Sequence, residues 1–230
     1  MRAALLVAVV VGGCGRLGFD RVYVGSGGDG GDATGDGGGS GTCAMPATSD
    51  GFAAGGNICG TWGVPTNMTD SSRQNGLDVI VPPNHNNYVA NCTDTALAFA
   101  AGTFVSVSQV TTLGTGFSQL SVYTSGGNLA TIDYYVDTDE LEYGDDSSRS
   151  TFGRVAYDPV AMRWWRMYPS STHEITGQYS SDGLTWTTIG VDDVGTADTL
   201  VTVKVVVGAG YYGAESAQST TVFDSWNVCP

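Results

Sequence analysis

Val201-Thr202-Val203-Lys204-Val205-Val206-Val207 is the stretch on which the reading of the fold turns. Val201, Val203, Val205 and Val207 fall on one side of an extended chain, and Thr202, Lys204 and Val206 on the other. A repeat of two is the period of a β-strand. Working outward, the same pattern returns in Leu77-Asp78-Val79-Ile80-Val81, which stops at Pro82-Pro83. It returns in Phe104-Val105-Ser106-Val107-Ser108 and in Leu120-Ser121-Val122-Tyr123-Thr124, the latter running into a Ser125-Gly126-Gly127-Asn128 turn. Turn clusters separate these runs at short intervals, and no long stretch keeps a period of 3.6. The expectation is an all-β chain folded as an antiparallel sandwich of two sheets.

Composition agrees. The chain has 230 residues, 34 of them glycine, and only 14% are charged. Lys204 is its single lysine. That length suits one sizeable domain, and the Thr, Ser, Val and Gly content favours strands and turns. The net charge of −14 argues against a nucleic-acid partner, which needs a basic face. It also disfavours docking on an anionic membrane surface. It fits a soluble extracytoplasmic surface or one that collects cations, solubility being the simpler reading.

The N-terminus carries an address. Met1-Arg2 is a short positive segment, and Ala3 to Val11 is unbroken apolar sequence, too short to span a bilayer as a helix. Val11-Gly12-Gly13-Cys14 resembles the bacterial lipobox, with Val11 where Leu is more common. The resemblance implies a signal peptide over residues 1–13 and lipidation of Cys14, which would hold the protein to the bacterial outer membrane or cell surface. An ordinary secretory signal beside a chance cysteine is the alternative; both export the chain. Residues 14–42 are read as a flexible linker, because Gly25 to Gly41 contains no large apolar side chain. Its reach is on the order of 20–25 Å. Gly27-Gly28-Asp29-Gly30-Gly31-Asp32 also matches the opening of a calcium-binding repeat, but Thr34 stands at its apolar position and stacked copies are needed. Residues 43–230 form the expected domain. Setting Cys14 aside leaves Cys43, Cys59, Cys92 and Cys229, an even number that reads as two disulfides after export. Zinc would want close Cys or His spacing, and His85 and His173 are the only histidines.

Two segments carry a family likeness. Arg163-Trp164-Trp165-Arg166-Met167-Tyr168 leads to Glu174-Ile175-Thr176-Gly177-Gln178-Tyr179-Ser180-Ser181-Asp182-Gly183-Leu184-Thr185-Trp186, and the chain closes on Thr221-Val222-Phe223-Asp224-Ser225-Trp226-Asn227-Val228. Together they resemble the concanavalin A-like lectin/glucanase superfamily in its laminin-G-like jelly-roll branch, over roughly Phe52 to Val228. The resemblance implies a jelly roll whose first and last strands are neighbours. Its members bind glycans, act on glycans or serve as spacers, so the fold alone does not settle function. With the terminal strands adjacent, the implied disulfides are Cys43–Cys229 and Cys59–Cys92. Ser181-Asp182-Gly183 is expected to form a turn in which Gly183 takes positive φ and Asp182 bonds backbone amides, making Asp182 structural, with Trp186 packing back on the core.

Retaining glucanases of the superfamily carry E-x-D-x-E or E-x-D-x-x-E on one strand, so that alternation, with a bulge in the longer form, brings the carboxylates to one face. Asp137, Asp139 and Glu142 are the catalytic candidates by this likeness, with Asp137 one methylene short at the nucleophile position. Thr138 and Glu140 replace the usual apolar neighbours and Asp145 and Asp146 follow, which is also how an exposed acidic loop reads. The balance of the sequence is toward no enzyme. Calcium is the one cofactor these acids would suit: Asp137, Asp139, Asp145 and Asp146 form one possible donor set and Asp192 and Asp193 another, without EF-hand spacing. For a glycan or polymer partner the candidates are Tyr134, Tyr135, Trp164, Tyr211 and Tyr212, since one member of an adjacent aromatic pair on a strand must face away from the core. The expectation is a glycan-binding module of the cell envelope. Its alternatives are a structural or adhesive protein without a small ligand, and a glycoside hydrolase using Asp137, Asp139 and Glu142.

Overall fold

The structure is a computed structural model that describes residues 46, 48–60, 62–74, 76–110, 114–145, 150–196 and 198–230. Cys14, the Gly25–Gly41 linker, Cys43 and Asp146 lie outside the described residues.

Every regular element described is a strand: β1 (Val64–Thr66), β2 (Ser72–Arg73), β3 (Leu77–Val81), β4 (Asn86–Ala98), β5 (Thr103–Gln109), β6 (Gly116–Tyr123), β7 (Leu129–Tyr135), β8 (Glu140–Asp145), β9 (Ser150–Ala156), β10 (Trp164–Pro169), β11 (Glu174–Ser180), β12 (Thr187–Asp193), β13 (Thr202–Ala214) and β14 (Ser219–Trp226). They form two seven-stranded sheets, the first in the order β1-β4-β13-β6-β7-β8-β9 and the second in the order β12-β11-β10-β5-β14-β3-β2. The pairings are antiparallel, as in a two-sheet sandwich.

Alternation decides which side chains meet between the sheets. Val203, Val205 and Val207 of β13, with Leu120, Val122, Ile132, Leu141 and Tyr143 from its neighbours, face Leu77, Val79, Val105, Val107, Trp165, Met167 and Phe223 of the second sheet. Full burial of one such side chain contributes about 1.5–3 kcal/mol relative to exposure. Val201 departs from the expected set. It precedes β13, which begins at Thr202, and stands 73% exposed. Two large core side chains have their polar atoms bonded: the Tyr143 hydroxyl donates to Ile175 O at 2.8 Å and Trp165 Nε1 to Met162 O at 2.8 Å, which offsets the cost of burying them.

The terminal strands differ from expectation. β14 lies between β3 and β5, whereas β1 pairs with β4 in the other sheet. On the side of β14 away from β5, Trp226 meets the chain before β1 in one bridge, to Asp50, whose two backbone bonds are both 2.8 Å. Cys59 is bonded to Cys92, tying the segment before β1 to β4. Cys229 is also disulfide-bonded; its expected partner Cys43 lies outside the described residues.

The β11–β12 connection takes the expected turn. Gly183 has φ +73. Asp182 Oδ1 accepts from the Leu184 and Thr185 amides, each at 2.8 Å, and from Ser180 Oγ at 2.9 Å. The Thr185 and Leu184 amides, with Ser180, hold the Asp182 carboxyl down at about 2. Trp186 does not reach the core. It shares the parity of Thr188, which puts it on the outer face of the second sheet, its ring centroid 4.1 Å from the Arg166 guanidinium.

Candidate functional site

The outer face of the first sheet carries a groove beside outward aromatic and acidic side chains. On β7, Ala130, Ile132 and Tyr134 join the core, so Thr131, Asp133 and Tyr135 point outward. Strand register extends these positions sideways. Gly208, Gln119, Asp133, Glu142 and Arg154 are successive cross-strand partners from β13 to β9. On one side runs an aromatic row, Gly210, Phe117 and Tyr135. On the other runs Val206, Ser121, Thr131 and Gly144. A groove of about 150 Å³ opens at the β7–β9 end of these rows, lined by Thr131, Asp133, Tyr135, Glu142 and Thr151 among others.

The polar row is anchored from its edge. Glu142 Oε2 accepts from Arg154 Nε at 3.0 Å and from Arg154 Nη2, and Oε1 accepts from Thr151 Oγ1. Arg154 also lies 3.3 Å from Glu140 Oε2. Its bond with Glu142 raises its pKa above the ordinary value and keeps it cationic. Asp133 is 5% exposed, and the Tyr135 hydroxyl donates to its Oδ2 at 3.3 Å. Ser121 and Thr131 share a hydroxyl–hydroxyl bond of 2.9 Å. At the aromatic end Tyr212, 49% exposed, stacks on Phe117 at 4.9 Å, and Phe117 stands 6.4 Å from Tyr135.

The structure therefore brings together Tyr135 and Tyr212 of the expected ligand-binding aromatics, with Phe117 between them. The others lie elsewhere. Tyr134 faces the core, its hydroxyl donating to Asp139 Oδ1 at 3.1 Å, and burial together with Asp139 pushes its pKa up to about 12. Tyr211 is 1% exposed; its hydroxyl donates to Pro82 O and accepts from the His85 amide, each at 3.0 Å. Trp164 does lie on an outer face, that of the second sheet, but the β11–β12 turn at Gly183 and Pro230 close over it and leave it 8% exposed.

The catalytic candidates are not a set on one strand. β7 stops pairing at Tyr135, so Asp137 and Asp139 fall in the hairpin turn before β8. Asp139 has φ +54 and its carbonyl accepts from the Tyr157 amide at 3.0 Å, a turn-forming role. Only Glu142 sits on a strand. The carboxylates that face each other are Asp133 and Glu142, directly opposite on β7 and β8. Asp133 was not singled out by the sequence reasoning. The signal that could have found it is the alternation in Thr131-Ile132-Asp133-Tyr134-Tyr135, which puts one acid among outward positions.

Of the acids considered for calcium, Asp145 at the end of β8 and Asp192 on β12 approach each other where β12 packs against β8 and β9. Gly153 permits that approach, since a Cβ there would fall 1.9 Å from Ile189 O. Asp192 Oδ2 is buried without a hydrogen-bond partner among the described residues. Burial, then the charges of Asp145 and Asp193, raise its carboxyl to about 6. Asp193 is exposed and accepts from the Gly195 amide at 3.0 Å. Among the described residues no group of three or more His, Cys, Asp or Glu is arranged to hold a metal ion.

No protein-family model matches the chain, and no curated protein matches it by sequence. Solved structures do match by fold. The laminarinase catalytic domain of Thermotoga maritima superposes with a TM-score of 0.56 at 8% identity, over 79% of this chain and 96% of that one. SCLam, a non-specific endo-β-1,3(4)-glucanase of family GH16, gives 0.55 at 9% identity, over 80% and 91%. A prokaryotic β-1,3-1,4-glucanase (lichenase) from a mouse hindgut metagenome gives 0.54 at 10% identity, over 78% and 96%. What these likenesses establish is the fold alone, a two-sheet antiparallel jelly-roll sandwich.

Proposed function

We propose that this protein is a non-catalytic, lipid-anchored cell-envelope module that binds a polysaccharide along the outer face of its first sheet. The observation that carries the reading is Tyr135 and the exposed Tyr212, held on the same outer face by the buried Phe117 between them, beside a groove that Tyr135 lines with Asp133 and Glu142. Aromatic faces match the apolar faces of pyranose rings, and flanking amide, carboxylate and guanidinium groups fix hydroxyls. Folds of this kind carry glucanases of the β-1,3 and β-1,3-1,4 classes, so laminarin and mixed-linkage β-glucan are the first probes. Affinity electrophoresis and calorimetry should show binding by the wild type and at least tenfold weaker binding by Tyr212→Ala. Binding that is absent, or indifferent to Tyr212 and Tyr135, defeats the proposal.

The non-catalytic reading rests on β7, where Thr131 and Tyr135 flank one outward carboxylate, and on β8, where Glu140 and Glu142 share their face with Gly144, so that among the described residues neither strand presents three same-face acids. A hydrolase is the second reading, favoured by Asp133 facing Glu142 across β7 and β8, since a pair about 5–5.5 Å apart is what retaining hydrolysis needs. Release of reducing ends that disappears in Asp133→Asn and Glu142→Gln decides for it. The anchor rests on the lipobox-like Val11–Cys14. Cys14→Ser should move the protein from the membrane to the soluble fraction, and a wild type that is soluble already removes the tether.

A further inference from the structure

The outer face of the second sheet holds a cation without a counter-ion among the described residues. Arg73 meets Asp50, Arg154 meets Glu140 and Glu142, and Arg163 meets Asp224. Arg166 on β10 meets no carboxylate among the described residues. Its Nε and Nη2 donate to Gln178 Oε1 at 2.8 and 2.5 Å, and Gln178 is its cross-strand neighbour on β11. Its guanidinium lies over the rings of Trp186 at 4.1 Å and Tyr168 at 5.1 Å. Its Nη1 has no protein partner among the described residues. Burial pulls the Arg166 pKa down to about 10, the direction expected of a cation that has lost water without gaining an anion. Desolvating an arginine beside rings and one neutral amide recovers only part of its solvation. Arg166 is thus a partly desolvated cation whose charge no carboxylate among the described residues offsets.

We infer that Arg166, Trp186, Tyr168 and Gln178 form a second saccharide site, on the sheet opposite the groove, that receives the carboxylate of a hexuronate residue. The guanidinium edge offers the planar donors a carboxylate takes. The half-exposed rings of Tyr168 and Trp186 beside it offer flat apolar surface to the pyranose that bears the carboxylate. Thr188, exposed on the same row and bonded to Gln178 Nε2 at 3.4 Å, borders the site. The groove is acidic and would repel the same ligand, so the two faces would sort neutral from anionic sugars.

The test titrates the full chain with hexagalacturonate and, as the neutral control, with a mixed-linkage β-glucan oligosaccharide. The wild type should bind hexagalacturonate with an affinity that falls as sodium chloride is raised. Arg166→Gln should weaken that binding at least tenfold and leave the neutral ligand unaffected. Because Arg166→Gln removes a packed side chain, Thr188→Glu is the second variant: it keeps the arginine, puts an anion beside it, and should weaken hexagalacturonate binding to a similar degree. No hexagalacturonate binding by the wild type overturns the inference, as does wild-type affinity in a folded Arg166→Gln or Thr188→Glu protein. Loss of the neutral ligand alone counts against the groove and not against this site.

Discussion

The two outer faces of the sandwich solve the same problem in opposite ways. On the first sheet an arginine is spent on carboxylates: Arg154 holds Glu142 and Glu140 at the edge of an acidic row. On the second sheet an arginine is spent on rings and an amide, and no acid among the described residues answers it. Both rows lie on antiparallel strands over one shared core, so the backbone does not make the difference. It comes from which side chains stand at the outward positions of β7 to β9 and of β10 to β12. An acidic protein with one compensated and one uncompensated arginine face presents two chemically distinct surfaces, and the comparison can be attacked at several points.

The largest effect should come from the core the faces share. Trp165 is fully buried on β10, directly behind the arginine face, with its indole nitrogen bonded to Met162 O. Trp165→Ala should cost about 3–5 kcal/mol in urea unfolding, and should reduce binding at both faces in proportion to the unfolded fraction. Loss at one face alone would mean that the sheets fold separately.

A pH dependence should follow from the edge where the sheets meet. The folded Asp192 carboxyl lies near 6 against an ordinary 3.8, so the folded state holds more protons than the unfolded state between those values. Stability from this group is then fully present below about pH 4 and is lost as pH rises to about 6. Asp192→Asn should flatten that slope and be more stable than wild type at pH 7.5 in chemical denaturation. A steeper slope, or a less stable variant at pH 7.5, would mean that Asp192 is held as a paired carboxylate there.

The smallest effect belongs to the exposed pair. Arg154→Ala should lower stability by only about 0.2–1 kcal/mol, yet it leaves the groove more negative, so β-glucan binding should change more than stability does. Equal changes in both would make Arg154 a fold residue and blur the contrast with Arg166.

Much of the fold was legible in the residues because period-two alternation is a local property. Leu77, Val79 and Val81 alternate in sequence and are buried in space for that reason. The Ser181-Asp182-Gly183 turn was legible because its bonds are made within a few residues. The site was legible only by halves. Adjacent tyrosines guarantee that one faces out, but whether it is Tyr134 or Tyr135, Tyr211 or Tyr212, depends on sheet register, which is non-local. That Asp137 and Asp139 lie in the turn after β7 rather than on a strand was not legible, because nothing in the sequence marks Tyr135 as the last residue of β7. Asp133 was hidden because its partner Glu142 is brought opposite only by the hairpin. Arg166 was visible within its motif, but the lack of an acid near it is a property of the folded surface.

The most direct test of the account is a map of amide chemical shifts on the soluble Cys14→Ser full chain as a mixed-linkage β-glucan oligosaccharide is added. The account predicts shifts concentrated at Gln119, Asp133, Tyr135, Glu142 and Tyr212, with the oligosaccharide recovered intact. No shifts at millimolar ligand, shifts confined to other strands, or cleavage of the oligosaccharide would contradict it.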